Sequence, residues 1–348
     1  MTPTIRASAL ASFGEVARSL GLNPAALMRR VGLDPQALTN PDMRLNARAF
    51  GELLELSAAE AGCPTFGLRM AENRKASDFG PLSLVMTHQP TVRDVLATAV
   101  RYSALINDTL TLALEEADGT VVIREEVLAV SPILARQAHE LTVGVMVRIF
   151  QALIGERWRA VSVHFIHPAP ADLSDHRRVF GDGVVFGCDF NGLVCDARDL
   201  DLANPAADPV LAAYARRFVD GMVAATGPGT SRRDDQSVRS AIAELLPAGR
   251  ATLDQVAGRL GLGARTLQRR LADNGSDFRG LLEEVRAALA RRFVENSDLP
   301  LTDVAQLLGY SQPAAFSRWF LARFGAPPSA LRRRTRPDSR QDLRQGRK

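Results

Sequence analysis

Two short stretches near the C-terminus carry side chains suited to reading an edge of hydrogen-bond donors and acceptors. The first holds Arg265, Thr266, Gln268 and Arg269, and the second holds Gln312, Ser317 and Arg318. Arginine presents forked N–H donors that pair bidentately with guanine, and glutamine matches adenine. Each such pair is worth about 1–3 kcal/mol of discrimination between bases. Hydroxyl groups and further guanidiniums suit phosphate oxygens, which position a protein without reading sequence. This chemistry needs the side chains together on the outer face of a rigid rod.

The surrounding residues supply such rods twice. Leu253-Asp-Gln-Val256-Ala257-Gly-Arg-Leu260-Gly261-Leu262 recurs 48 residues later as Leu301-Thr-Asp-Val304-Ala305-Gln-Leu-Leu308-Gly309-Tyr310. Apolar residues at i, i+3, i+4 and i+7 make one face of a helix about two turns long. The central alanine lets a second helix cross closely, and the glycine supplies the left-handed residue that ends the helix. Thr252 and Gln255 fit a capping box. A second helix follows each copy, over about 264–273 and 312–324. Leu267 and Leu271 turn inward in one, Phe316 and Phe320 in the other, and Pro313 suits a first helical turn. Between the copies, Leu282, Val285, Leu289 and Phe293 form the stripe of a connecting helix. Short helix, glycine turn and polar-faced second helix is the helix-turn-helix pattern. Two such units could read successive major-groove turns, roughly 34 Å apart.

Residues 237 to about 333 resemble the C-terminal domain of AraC/XylS-type transcription regulators. The most specific stretch is Gly309-Tyr-Ser-Gln-Pro-Ala-Ala-Phe316-Ser-Arg318-Trp-Phe320, followed by Phe324-Gly325-Ala-Pro-Pro328-Ser-Ala-Leu-Arg332; Leu267-Gln-Arg269-Arg-Leu271 fits as well. The resemblance implies that Arg265, Thr266, Gln268, Arg269, Gln312, Ser317 and Arg318 face double-stranded DNA. It also implies a homodimer, a small-molecule effector, contact with RNA polymerase and activation of transcription. Two departures stand out: the first recognition helix is one residue short before Gly275, and Pro313-Ala314-Ala315 removes polar residues from the start of the second. Base reading is therefore expected to lean on the first unit, with the second gripping phosphate.

Residues 1 to about 205 resemble the arabinose-binding-like domain of one branch of that family, through Phe79-Gly-Pro-Leu-Ser-Leu84 and Pro90-Thr-Val-Arg-Asp-Val-Leu96. Periodicity gives helices over 8–20, from Pro24 behind the cap Asn23, and over 46–61, 91–106, 132–154 and 204–223. Strands are expected over 109–115 and 120–126 around an Ala117-Asp118-Gly119 turn, over 160–166, and within 183–196 around a turn at Asn191-Gly192. The expected architecture is an α+β N-terminal regulatory domain, with helices and an antiparallel sheet rather than a cupin. It is joined to an all-α C-terminal domain with two helix-turn-helix units. The boundaries are 1–205 for ligand sensing and dimerisation, 206–236 for a helix and linker, 237–333 for DNA binding and 334–348 for a disordered basic tail.

Charge and composition agree with that division. Residues 1–230 hold 21 basic against 26 acidic residues, whereas 231–348 hold 22 against 13, which suits a polyanionic partner on one side only. Much of that excess lies in the final eighteen residues, with eight basic and two acidic. At 348 residues, 46% hydrophobic and 24% charged, the chain is globular and long enough for two domains. No run approaches the roughly 18 apolar residues of a membrane span, and without an apolar h-region behind a basic stretch in its first residues the chain is not expected to be secreted. Three cysteines (Cys63, Cys188, Cys195) make no disulfide framework, so a cytoplasmic protein is expected.

Other chemistry finds little support. His164 and His167 fall on opposite faces of a strand, so no metal is expected. Phosphate-cradling loops and nucleophile motifs are missing, and no catalytic residue or cofactor is assigned. The effector and its binding residues are not legible. Two alternatives stay open: an N-terminal half that only dimerises, or an enzyme with a DNA-anchoring domain. An apolar pocket of a few hundred Å3 would favour ligand sensing, and a solid core would favour dimerisation alone.

Overall fold

The computed structural model describes residues 3–335 apart from 108, 128–135, 226–234, 236, 240, 244, 247–248 and 297–298. The expected start of one helix at Pro132, most of the 226–236 linker and the tail beyond residue 335 lie outside the described residues. The chain forms two compact units, Met1–Gln236 and Ser237–Lys348.

The N-terminal unit opens with β1 (Thr4–Arg6), paired antiparallel with β2 (Arg44–Asn46). Four helices follow: α1 (Phe13–Ser19), α2 (Pro24–Arg30), α3 (Ala47–Glu60) and α4 (Phe66–Glu72). Asn23 caps α2 by accepting from the Ala26 N–H at 3.1 Å, and Asn46 caps α3 from Ala49 N–H at the same distance. The stripe expected to make one helix over 8–20 is broken. Ala7–Leu10 is a 3-10 turn, and Ser12, at φ 66°, reverses the chain before α1. The Ser12 hydroxyl donates to the Met70 carbonyl at 2.9 Å, a tertiary contact that holds the left-handed conformation.

Next come α5 (Pro81–Thr87), α6 (Val92–Ile106), the hairpin β3 (Leu110–Ala117) and β4 (Thr120–Val127), and the long helix α7 (Arg136–Ile154). The hairpin turn is Asp118-Gly119, both at positive φ, as a two-residue turn between right-twisted strands requires. Then follow β5 (Ser162–Phe165), α8 (Ser174–Phe180), β6 (Val184–Phe186), β7 (Asn191–Asp196), the short α9 (Ala197–Leu200) and α10 (Pro209–Ala225). The five-stranded sheet has the order β3-β4-β7-β5-β6. Its pairs are antiparallel except β5 with β6, which the α8 crossover makes parallel. It is an open sheet backed by helices, not a barrel.

Asn191-Gly192 is not a turn but the start of β7, between β4 and β5. Gly192 (φ 152°) lies so close to β4 that a Cβ there would sit 2.0 Å from the Ile123 carbonyl oxygen. The glycine serves close approach of two strands, a use that shares its signal with turns. The last helix starts at Pro209 rather than Asn204, because the Asp208 carboxylate caps the Val210 and Leu211 N–H groups at 3.0 and 2.9 Å.

In the C-terminal unit, buried Val238, Ala241, Ile242 and Leu246 lie on a helical segment ahead of the repeat. Six helices follow: α11 (Leu253–Arg259), α12 (Ala264–Asp273), α13 (Phe278–Asn296), α14 (Leu301–Leu307), α15 (Pro313–Phe324) and α16 (Pro328–Thr335). The buried stripe of α13 is Leu281, Val285, Leu289 and Phe293; Leu282, expected in it, is only half-buried. Among the described residues no helix is long and apolar enough to cross a membrane.

Candidate nucleic-acid interface

The two repeats match in their hydrogen bonds. Leu262 N–H donates to the Ala257 carbonyl at 2.9 Å, and Tyr310 N–H to the Ala305 carbonyl at 2.9 Å. Gly261 and Gly309 sit at φ 67° and 78°, where a side chain would be strained, and turn the chain into α12 and α15. Val256 and Ala257, and Val304 and Ala305, are buried where the second helix crosses. The cap on α11 is one-sided: Thr252 accepts from Gln255 N–H at 3.4 Å, while its own N–H donates to the Arg250 carbonyl.

The second helices divide as their sequence periodicity requires. Leu267 and Leu271 of α12, and Phe316 and Phe320 of α15, are buried. Arg265, Gln268 and Arg269 are exposed on α12, with Thr266 half-buried beside them; Ser317 and Arg318 are exposed on α15, and Gln312 is exposed as its N-cap residue. Among the described residues no carboxylate pairs with Arg265, Arg269 or Arg318. Arg239, Arg286 and Arg291 of the same unit instead pair with Glu284, Glu283 and Glu295. The guanidiniums of Arg265, Arg269 and Arg318 therefore face solvent without a counterion among the described residues, the state in which an arginine is ready for a phosphate or a base edge.

Sequence reasoning missed the groups that hold the second unit on α13. Trp319 Nε1–H donates to the Glu283 carboxylate at 2.8 Å, and Arg286 bridges Glu283 at 2.5 Å and the Leu308 carbonyl at 3.1 Å. Its guanidinium also lies over the Tyr310 ring, 5.3 Å from the centroid. Burial pushes the Tyr310 phenol up to about 12, so it stays neutral. Arg332 donates to the carbonyls of Phe293, Val294 and Leu299 and so ties α16 to the C-terminal end of α13. The spacing of Glu283 and Arg286 was a signal for their pair, but the partners Trp319 and Leu308 lie too far along the chain to be foreseen.

In the N-terminal unit His164 and His167 have separate surroundings. Half-buried His164 stacks on Phe190 and lies 3.3 Å from Cys188 Sγ, whereas His167 lies beyond the end of β5. His167 and His176 approach one Glu140 oxygen at 3.4 and 3.3 Å, and Arg136 donates to the same oxygen at 3.2 Å. Burial drives His167 down to about 4, against the pull of Glu140, so it is neutral near pH 7. Burial likewise lifts the Cys195 thiol up to about 12, and Cys63 is buried between α3 and α4. Among the described residues no set of three or more His, Cys, Asp and Glu groups is arranged to hold a metal ion.

The same unit contains a cavity of about 80 Å3 between α5, α6, β3 and α7. It is smaller than the few hundred Å3 usual for a whole drug-sized ligand. Leu82, Met86, Ala99, Leu112 and Met146 are among its walls, and Thr142 supplies its single side-chain hydroxyl.

An α+β unit followed by paired helix-turn-helix motifs with open cationic faces defines a DNA-binding transcriptional regulator. Residues 21–204 match the N-terminal arabinose-binding domain of the AraC transcription regulator, and residues 256–334 match a helix-turn-helix domain. The chain belongs to the AraC family, in the branch with this N-terminal domain. It is similar to the HTH-type transcriptional regulator VirS of Mycobacterium tuberculosis, at 29% identity over 94% of this chain and 96% of that one. The ornithine utilization regulator of Pseudomonas aeruginosa is 25% identical over 90% and 91% of the two chains. The transcriptional activator NphR of a Rhodococcus species is 27% identical over 47% and 52%. The solved structure of the transcriptional regulator CdpR from Pseudomonas aeruginosa aligns over 91% of this chain and 97% of its own, with 21% identity and a TM-score of 0.43.

Proposed function

We propose that this chain is a sequence-specific cytoplasmic activator of transcription that works as a homodimer and answers to a small molecule bound by residues 1–205. Residues 237–333 bind DNA, the 206–236 segment relays between the two, and the 334–348 tail adds phosphate affinity without sequence information. One observation carries the reading: Arg265, Gln268, Arg269, Ser317 and Arg318 stand solvent-facing on two second helices of matching construction, with the three arginines unpaired among the described residues. Thr266 and Gln312 flank them as further polar contacts.

The dimer is supported by α10, where Val210, Tyr214 and Phe218 remain 80%, 66% and 57% exposed. They recur every fourth residue, an apolar stripe that two antiparallel copies would cover for each other in an isologous contact. Effector control is supported by the match of residues 21–204 to an arabinose-binding domain; the cavity of about 80 Å3 is below the few hundred Å3 that would favour it by itself. Activation is supported by the likeness to NphR, a transcriptional activator, and contact with RNA polymerase is the route we assign to it. A ligand acts by binding one arrangement of the dimer better than another, changing how the paired DNA-binding units meet two half-sites.

The test is a nuclease footprint of the full chain on the DNA upstream of its own reading frame. Protection of two half-sites in register with the helical repeat is expected. Uniform protection without preferred sites sinks the reading.

A further inference from the structure

We infer that the cavity of the N-terminal unit is a binding site for the end of an aliphatic chain, and not for a sugar. The inference rests on the reading of residues 1–205 as the effector-binding half and names the chemistry of what that half accepts. No charged side chain lines the cavity. Its one hydroxyl, Thr142 Oγ1, already donates to the Ala138 carbonyl at 2.9 Å. A sugar placed there would leave several hydroxyls without partners, and a charged group would lose its hydration with no counterion. An apolar group loses nothing by entering, and gains contact with a wall of leucine, methionine and valine side chains.

Volume narrows the class further. At about 80 Å3 the cavity is about half the size of the ~150 Å3 apolar cavity known to stay dry and admit benzene. By volume a benzene-sized ring overfills it, whereas the end of an alkyl chain fits.

The position of the cavity gives occupancy a route outward. Leu82, Met86, Val95 and Ala99 border it and belong to the apolar cluster that also holds Ala215 and Val219 of α10. Tyr102, in the same cluster, donates its hydroxyl to Asp220 at 2.7 Å and pins α10 to α6. Interiors packed to crystal density transmit a change in volume rather than absorb it. Filling the cavity therefore loads the packing of α5 and α6 against α10, the last helix before the DNA-binding unit.

The test is thermal unfolding of the full chain with linear alcohols from 1-butanol to 1-octanol, with D-arabinose as the contrasting probe. A saturable rise in melting temperature is expected with the longer alcohols, roughly 5 °C at a hundredfold excess over Kd. The rise disappears in Ala99→Leu, which fills the space. If that variant does not fold, Val145→Phe takes its place. Thr142→Val keeps the alcohol response, since its hydroxyl plays no part. Three results overturn the inference: no saturable rise with any alcohol, an equal rise in the filled variant, or a saturable rise with arabinose. A protein that gives the expected footprint but shows no alcohol response retains its proposed function and loses this site. One that gives an alcohol response sensitive to Ala99→Leu but no footprint keeps the site and loses the DNA-binding reading.

Discussion

Leu267 and Leu271 seat the second helix of the first helix-turn-helix unit, whereas Phe316 and Phe320 seat that of the second. Around the phenylalanines stand Tyr310, Trp319 and Phe324, with Phe320 and Phe324 centroids 4.5 Å apart. The outer faces differ in the opposite sense. On α12 the exposed positions hold Arg265, Gln268 and Arg269, while the first turn of α15 opens with Pro313 and Ala314 before Ser317 and Arg318. One backbone plan, with the same turn bonds and the same left-handed glycine, therefore serves two ends. The exposed face of the first unit is richer in arginine and glutamine, and the second unit is held to α13 through Glu283 and Arg286. A motif's fold is set by its inward positions, and those leave the outward chemistry free to diverge.

The most forceful way to break this comparison is at the inward positions. Phe316→Ala, at a fully buried ring, should cost about 3–5 kcal/mol, and Leu267→Ala about 2–5 kcal/mol, with the phenylalanine change the larger. Urea unfolding of the full chain measures both. A larger loss from Leu267→Ala would mean that the aromatic cluster is not the tighter anchor.

The two halves of the chain differ in another respect, since all five histidines lie before residue 180 and the DNA-binding unit has none. Burial holds His167 at about 4 in the folded state, below its ordinary 6.5. As pH falls through 6.5 the unfolded chain takes up the proton first, so stability is present above 6.5 and is lost on the way down to 4. The loss is on the order of 3 kcal/mol. Acid should unfold the N-terminal unit ahead of the C-terminal one, and His167→Gln should flatten the dependence. Circular dichroism and tryptophan fluorescence separate the events, because Trp158 and Trp319 report on different units. Simultaneous loss of both signals between pH 6.5 and 4 contradicts this.

At the outward positions the effects are smaller and differ in kind. Arg269→Ala should cost about 1–3 kcal/mol at the preferred site and relax the sequence preference there. Arg318→Ala should weaken all sequences alike and lower the salt slope by about one. Binding titrations at several salt concentrations, on preferred and scrambled sites, distinguish them. Equal loss of discrimination from both would erase the division of labour.

How much of this could be read from the chain depended on the distance over which each feature is specified. The repeat was legible because its apolar spacing, its alanine and its glycine all act within ten residues. The β3–β4 hairpin was legible because Asp118-Gly119 suits one turn type. Asn191-Gly192 carries a nearly identical local signal and sits inside a strand, since what decides it is the Ile123 carbonyl from another part of the chain. Ser12 breaks an apolar stripe for a bond to Met70. The cavity and the Glu140 cluster join elements far apart in sequence, so no local pattern announces them. In the exposed set of the second helices the opposite holds: each of Arg265, Gln268, Arg269, Ser317 and Arg318 follows from its offset to a buried Leu or Phe on its own helix.

The finest test of the comparison is Glu283, which is bonded to Trp319 of the second unit. Its carboxylate receives Trp319 Nε1–H and Arg286 on α13, yet it lies on none of the outward faces assigned to DNA. The group is substantially solvent-exposed, so screening limits what the two bonds contribute. Glu283→Ala should cost about 1 kcal/mol of stability, less than either core change. Its signature should be geometric: α15 loses a tether to α13, and binding should become more tolerant of one inserted base pair between the segments read by the two units. Titrations on sites with and without the insertion measure that tolerance. If the variant binds both as the unaltered protein does, α13 fixes the spacing without Glu283, and the anchoring of the second unit must come from its aromatic core alone.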